Sequence, residues 1–309
     1  MINFDNNLDN YWGGNMVSSS TDLIAVKYGL KKATRIQCRD LAEAKKLSAE
    51  FTGHGLFTAC SREKLFDHYN LYISRQKKYA NLARDIDPSY QIIIQKKSFN
   101  EIEKTIAKFG WLLSYPDCCV RKYQDNTSKK IGLDKATAFN RIPRRINFVF
   151  NNFLNGVANY YLSFHLPCSF TCKKTLAQND KIFNAVKKES PEFARRIHRY
   201  LARPYLLFLD PSSPNIHVAW DKRWGLFFEG QTDGHRLNYS GCSIFQTHYP
   251  DYAADKSANE NIQLLSAKIK TGDRLFFDSS SFKIFRGRKL IYEFKNRPDL
   301  HFYFFNFVT

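Results

Sequence analysis

The sequence predicts an α+β protein, with a helical, cysteine-bearing part followed by an antiparallel β-rich part. Two observations predict it. Before Arg203 apolar residues recur at helical spacing, and after Arg203-Pro204 short aromatic runs alternate with turn residues. A third, the grouping of four cysteines into two tight blocks, marks the helical part as the place to look for chemistry.

In chain order, residues 1–20 (MINFDNNLDNYWGGNMVSSS) are rich in Asn and Ser and read as a loose arm. Asp22–Lys32 and Asp40–Phe51 have helical character; in the second, Leu41, Ala44 and Leu47 recur every third residue. Gly55–Cys60 and Tyr69–Ile73 read as short strands. Ser98-Phe99-Asn100-Glu101 is a capping-box pattern, and behind it Ile102, Ile106, Phe109 and Leu113 mark one buried helical face. Pro116 stops that helix near Tyr115, because the residue before a proline is pushed out of helical geometry. A new helix is expected there, with Ser114 as N-cap, Pro116 in the first turn and Cys118 and Cys119 at its beginning.

Lys129–Asn140 and Arg145–Phe153 read as helical or mixed. His165–Cys172 reads as a loop, from which Ser169 or Thr171 caps a long helix running toward Lys188. Pro191 interrupts it, and Glu192–Ala202 resumes. The strands expected afterwards are Tyr205–Leu209, Ile216–Trp220, Gly225–Glu229, Arg236–Phe245, Arg274–Phe277, Phe282–Phe285, Leu290–Phe294 and Phe302–Phe307. The domains expected are the arm over 1–20, the cysteine-bearing domain over 21–203 and the β-rich domain over 204–309.

Composition narrows the class. With 309 residues, 43% of them hydrophobic, the chain can bury a large core and is not a disordered basic tail. No apolar run approaches the ~18 residues of a membrane helix. The first cation is Lys27, which does not suit a signal peptide, so a cytoplasmic location and no membrane partner are expected. The 47 Lys and Arg exceed the 29 Asp and Glu, so the surface attracts anions such as nucleic acid or a phosphorylated substrate. The densest basic stretch, Cys172–Arg203, suits a phosphate backbone and equally suits a solvated helix face.

The cysteines are Cys38, Cys60, Cys118, Cys119, Cys168, Cys172 and Cys242; an odd number argues against a disulfide framework. Four fall in Tyr115-Pro116-Asp117-Cys118-Cys119 and His165-Leu166-Pro167-Cys168-Ser169-Phe170-Thr171-Cys172. Both blocks set thiols at an expected helix start, where free N–H groups and nearby cations favour thiolate, the form that binds metal. Cys168-x3-Cys172 has the spacing of a zinc-chelating turn. Adjacent Cys118 and Cys119 diverge by about 100° on a helix, so both reach one small ion only in a distorted turn. A larger iron–sulfur cluster relieves that demand. His165 would add a nitrogen ligand or a hydrogen bond to a sulfur. Buried core thiols and a redox-active Cys118–Cys119 disulfide are the metal-free alternatives.

The two blocks resemble a prokaryotic family of unknown function that carries them both, over roughly Trp111–Asp210; the resemblance implies no activity. The adjacent pair with a downstream pair is also similar to the cysteine-rich cluster-binding domains of heterodisulfide-reductase type. This chain departs from those: Val120 replaces the Gly after the pair, the downstream spacing is x3, and the upstream cysteine of that pattern would be Cys60 or Cys38.

Cys38, Cys60 and Cys242 otherwise read as core, His198 as a surface residue among arginines, and His235 as a loop residue after a turn. Phosphate-loop, dinucleotide, zinc-protease and serine-hydrolase motifs are absent. Aromatics interleaved with cations in the β-rich part suit stacking on single-stranded nucleic acid, but any half-buried strand alternates in this way. The expectation is therefore an iron–sulfur-dependent enzyme with redox or Lewis-acid chemistry on an anionic substrate. Cys118, Cys119, Cys168 and Cys172 would be the ligands, with His165 in or beside the ligand set. The alternative is a zinc-stabilised nucleic-acid-binding module without catalysis.

Overall fold

The computed structural model describes residues 20–65, 67–98, 100–128, 145–151, 161–162, 165, 167–209, 223–246, 264–265, 267–296 and 301–308. The expected arm (apart from Ser20), the stretch Lys129–Asn140 and the strand Ile216–Trp220 lie outside them. The fold is α+β and forms two compact units, residues 1–128 with 152–198, and residues 129–151 with 199–309. Among the described residues no helix is long and apolar enough to cross a membrane.

The first unit contains α1 (Ser20–Lys27), β1 (Ala33–Cys38), α2 (Leu41–Gly53), β2 (Phe57–Cys60), β3 (Tyr69–Ser74), α3 (Lys77–Asp85), α4 (Pro88–Ile93), α5 (Glu103–Leu112), α6 (Asp117–Ser128) and α7 (Lys173–Glu189). Its sheet is antiparallel in the order β1-β3-β2. Successive residues of a strand face opposite sides. Leu71 and Ile73 of β3 therefore join Ala44, Leu47 and Phe51 of α2 in one core cluster, while Tyr72 joins Ala83, Phe109 and Leu112 in another. Helix α2 starts where Asp40 accepts the Glu43 N–H at 2.8 Å while Glu43 accepts the Arg39 N–H at 2.6 Å.

Below the second face Asp87 is fully buried. Its Oδ2 accepts from Arg35 Nη1 at 2.7 Å, the Tyr72 hydroxyl at 2.5 Å and Asn70 Nδ2 at 3.3 Å, and Oδ1 caps α4 through the Ser89 N–H. Burial opposes its charge, but Arg35 and these donors hold the carboxyl below the usual range.

Half of the expected Ser98–Glu101 box forms: Glu101 Oε2 accepts from the Ser98 N–H at 2.7 Å, but the Ser98 hydroxyl donates to that same oxygen at 2.6 Å, and the N-cap of α5 is Ile102, without a side-chain cap. A short 3-10 turn, Asn100–Ile102, leads into α5, which buries Ile106, Phe109, Gly110 and Leu112. At Gly110 an added Cβ would meet Val120 Cγ2 of α6 at 2.7 Å, so the absence of a side chain lets α5 and α6 approach.

Two expected caps are corrected. Ser114 closes α5 and does not open α6. It takes φ 58°, donates its N–H to Trp111 O at 3.1 Å, and is followed by a Tyr115 N–H bond to Gly110 O at 2.8 Å, the paired pattern of a left-handed helix terminus. Its hydroxyl accepts the Lys32 N–H at 3.3 Å. At α7 the N-cap is Cys172, because the Ser169 hydroxyl accepts the Thr171 N–H within the preceding loop.

α8 (Pro191–Leu201) leads into the second unit. There β4 (Ile146–Asn147), β5 (Tyr205–Leu209), β6 (Arg223–Asp233), β7 (Arg236–Gln246), β8 (Arg274–Phe277), β9 (Ser281–Arg286), β10 (Lys289–Lys295), β11 (His301–Phe305) and β12 (Phe307–Val308) follow. Seven of these form one antiparallel sheet, β10-β9-β8-β7-β6-β5-β11, and β12 pairs in parallel with β4. The stretch read as helical or mixed over Arg145–Phe153 contains β4 and the 3-10 turn Phe148–Phe150. The sheet buries Leu226, Phe228, Leu237, Phe282, Ile284, Phe294 and Phe302 in one cluster. Phe282 and Ile284 alternate with exposed Lys283, the period expected of a half-buried strand.

Candidate metal centre

Pro116 accepts the Cys119 and Val120 N–H groups at 2.8 and 3.0 Å, which starts α6 and places Cys118 and Cys119 in its first turn. The loop ahead of α7 brings Cys168 and Cys172 to the same place. All four Sγ atoms lie within 4.8 Å of one another and could hold a metal ion. Cys118 Sγ is 4.0 Å from Cys119 Sγ and 3.7 Å from Cys172 Sγ, and Cys119 Sγ is 3.8 Å from Cys172 Sγ. The neighbouring thiols of α6 thus converge on one point despite the helical divergence expected of adjacent residues. Cys119 and Cys172 are buried, Cys118 and Cys168 half-buried.

Polar contacts hold the group in place. The Cys168 N–H donates to Cys119 Sγ at 3.3 Å, anchoring the loop to α6. Thr175, in the first turn of α7, sets its hydroxyl oxygen 3.3 Å from Cys119 Sγ and 2.9 Å from His165 Nε2. Burial pushes the Cys119 thiol up, against hydrogen bonds from Thr175 and the Cys168 N–H. Burial raises Cys168 as well, to about 11. Burial also opposes a Cys172 thiolate, but hydrogen bonds from Thr175, Cys168 and Cys118 outweigh it and bring that thiol down to about 7.

His165 stands beside the thiols, outside the group of four. It is 5% exposed, and burial followed by the charge of Lys31 lowers its pKa to about 3, so the ring is neutral. The ring of Tyr115 lies 5.0 Å from that of His165, and Lys31 Nζ lies 5.6 Å from the Tyr115 ring. Lys31, itself buried, is ion-paired with Asp22. Thr175 escaped the sequence reading; its signal is a hydroxyl three residues after Cys172, on the inward side of the helix.

The other cysteines lie elsewhere. Cys38 is buried in the α2 cluster with Cys60 packed against it, and burial raises the Cys38 thiol to about 12. Cys242 packs against the core of the second unit. His198 is half-buried, its ring 6.3 Å from that of Phe183, and exposed His235 sits at the β6–β7 turn with Nδ1 3.1 Å from Phe277 O.

Residues 69–201 match the model of a family described as "Protein of unknown function (DUF483)". That stretch holds both cysteine blocks and Thr175. Neither the curated proteins nor the solved structures gave a match to this chain.

Proposed function

We propose that the four thiolates of Cys118, Cys119, Cys168 and Cys172 hold one zinc ion, and that the protein is a metal-stabilised one in which this ion ties α6 to the start of α7. The sulfur spacing carries the reading. A zinc–sulfur bond of about 2.3 Å gives a tetrahedron with edges of about 3.8 Å. Of the six separations, the three among Cys118, Cys119 and Cys172, at 3.7, 3.8 and 4.0 Å, fall around that value, and those to Cys168 stay within 4.8 Å. An iron–sulfur cluster distributes its cysteines over several irons and spreads the sulfurs farther apart. Four protein thiolates also close the coordination shell, as in structural zinc sites, whereas catalytic zinc keeps a position open.

Elemental analysis of protein purified without oxygen tests this. One zinc per chain and no colour are expected. Brown protein with iron and acid-labile sulfide would overturn the reading and restore the iron–sulfur enzyme suggested by the sequence; iron without sulfide would mean a single iron in the same four-sulfur shell.

A further inference from the structure

The exposed face of α7 carries the cations Lys173, Lys174, Lys181, Lys187 and Lys188 against one carboxylate, Asp180. At 100° per residue they share an arc of about 140° and run for about 23 Å along the axis, in steps of about 10 Å. Among the described residues none of these lysines is in an ion pair. Glu189, at the end of the same helix, is taken by Lys27 at 2.5 Å and by the Tyr28 hydroxyl at 3.1 Å. The opposite side of α7 buries Thr175, Asn179, Ile182, Ala185 and Val186, so the helix is fixed in the protein with its cations outward.

We propose that this face docks on duplex nucleic acid through the phosphates, without reading bases. A duplex carries one charge per about 1.7 Å of its axis, so cations at this spacing each meet a phosphate. Single strands are gripped by stacking on aromatics, and the two at this face are half-buried under its own lysines: Phe183 has Lys187 Nζ 4.6 Å from its ring centre, and Tyr28 has Lys188 Nζ at 5.7 Å. Insertion into a lipid surface needs an exposed apolar side, and that of α7 is already buried. The surface goes beyond the metal reading and stands whichever ion the thiols hold.

The test is fluorescence anisotropy of the 309-residue chain as purified, with whatever metal it carries, and a mixed-sequence DNA duplex of about 20 base pairs, long enough to span the lysine face. Between 50 and 200 mM salt, log K should fall against log salt with a slope of about −4.5 if five phosphates are met. The triple variant Lys181→Glu, Lys187→Glu, Lys188→Glu should bind about 100-fold more weakly and lose about 2.7 of that slope. A control of equal charge change on exposed lysines of α2 and α5, Lys45→Glu, Lys46→Glu, Lys104→Glu, should stay within about threefold of the parent, because those charges meet no phosphate in the docked complex. Metal content and circular dichroism of both variants establish that they fold, and the milder Lys→Gln triple at 181, 187 and 188 replaces the first if it does not. Equal losses in both triple variants, tighter binding to a single strand or to phosphatidylserine vesicles, or no duplex binding at 50 mM salt would each overturn the proposal. A failed metal analysis would leave this result untouched, so the two readings fail separately.

Discussion

His165 Nε2 lies 2.9 Å from the hydroxyl of Thr175, and that same oxygen is 3.3 Å from Cys119 Sγ. One hydroxyl therefore orients both a thiol and an imidazole. Thr175→Val keeps the shape and removes the oxygen. It should weaken metal retention about 10- to 100-fold, while Thr175→Ser should hold the ion nearly as well as the parent. Competition with a chromogenic chelator measures both, and equal retention in all three proteins would remove Thr175 from the site.

Replacing Cys168 with Ser should release the ion and lower the melting temperature, and stripping the parent with a chelator should lower it by a similar amount. Part of the stability then belongs to the metal, since an ion bound only by the folded chain adds its binding energy to folding. Unchanged metal content and melting in Cys168→Ser would exclude that residue as a ligand.

Asp87 gives a pH signature far from the thiols in sequence. Its carboxyl titrates below the usual range when folded, against about 3.9 when unfolded. The stability from its charge is therefore complete above the unfolded value and is lost as pH falls toward the folded one. Asp87→Asn leaves Arg35 and the α4 cap short of an acceptor and should cost about 3 kcal/mol at neutral pH. Acid titrations of both proteins, followed by urea unfolding, should show that gap narrowing below about pH 4.

Gly110 and Val120 test the approach of the two helices. Gly110→Ala should cost about 1–3 kcal/mol, because the new methyl group overlaps Val120 Cγ2. Adding Val120→Ala should recover part of the loss. Additive losses in the double variant, measured by denaturant unfolding, would show that the two side chains do not compete for the same space.

Much of this was legible where local chemistry decides. The Ser98–Glu101 contact and the face of Ile102, Ile106 and Phe109 need only neighbours in sequence; the face is buried, and of the box the Glu101 half forms. The two cysteine blocks announced themselves by spacing. Strand β1 did not: it reads ATRIQC, and its buried Thr34 and partly covered Arg35 are satisfied by Asp22 and Asp87, partners that no local pattern reveals. Ser114 misled because Ser favours helix starts, yet the turn between α5 and α6 needs a left-handed residue there. A non-glycine residue accepts that conformation at a cost of about 1–2 kcal/mol.

The pairing of Cys119 with Cys172 spans 53 positions. Any ion shared between them acts as a cross-link closing a ring of that size. By the loop-entropy relation such a closure removes about 4 kcal/mol worth of freedom from the unfolded chain. The relation is logarithmic, so doubling the ring would change it by only about 0.6 kcal/mol. The length of the intervening chain thus matters little to this entropy; what constrains that stretch is its own packing, since it carries α6, β4 and the buried turn Phe148–Phe150.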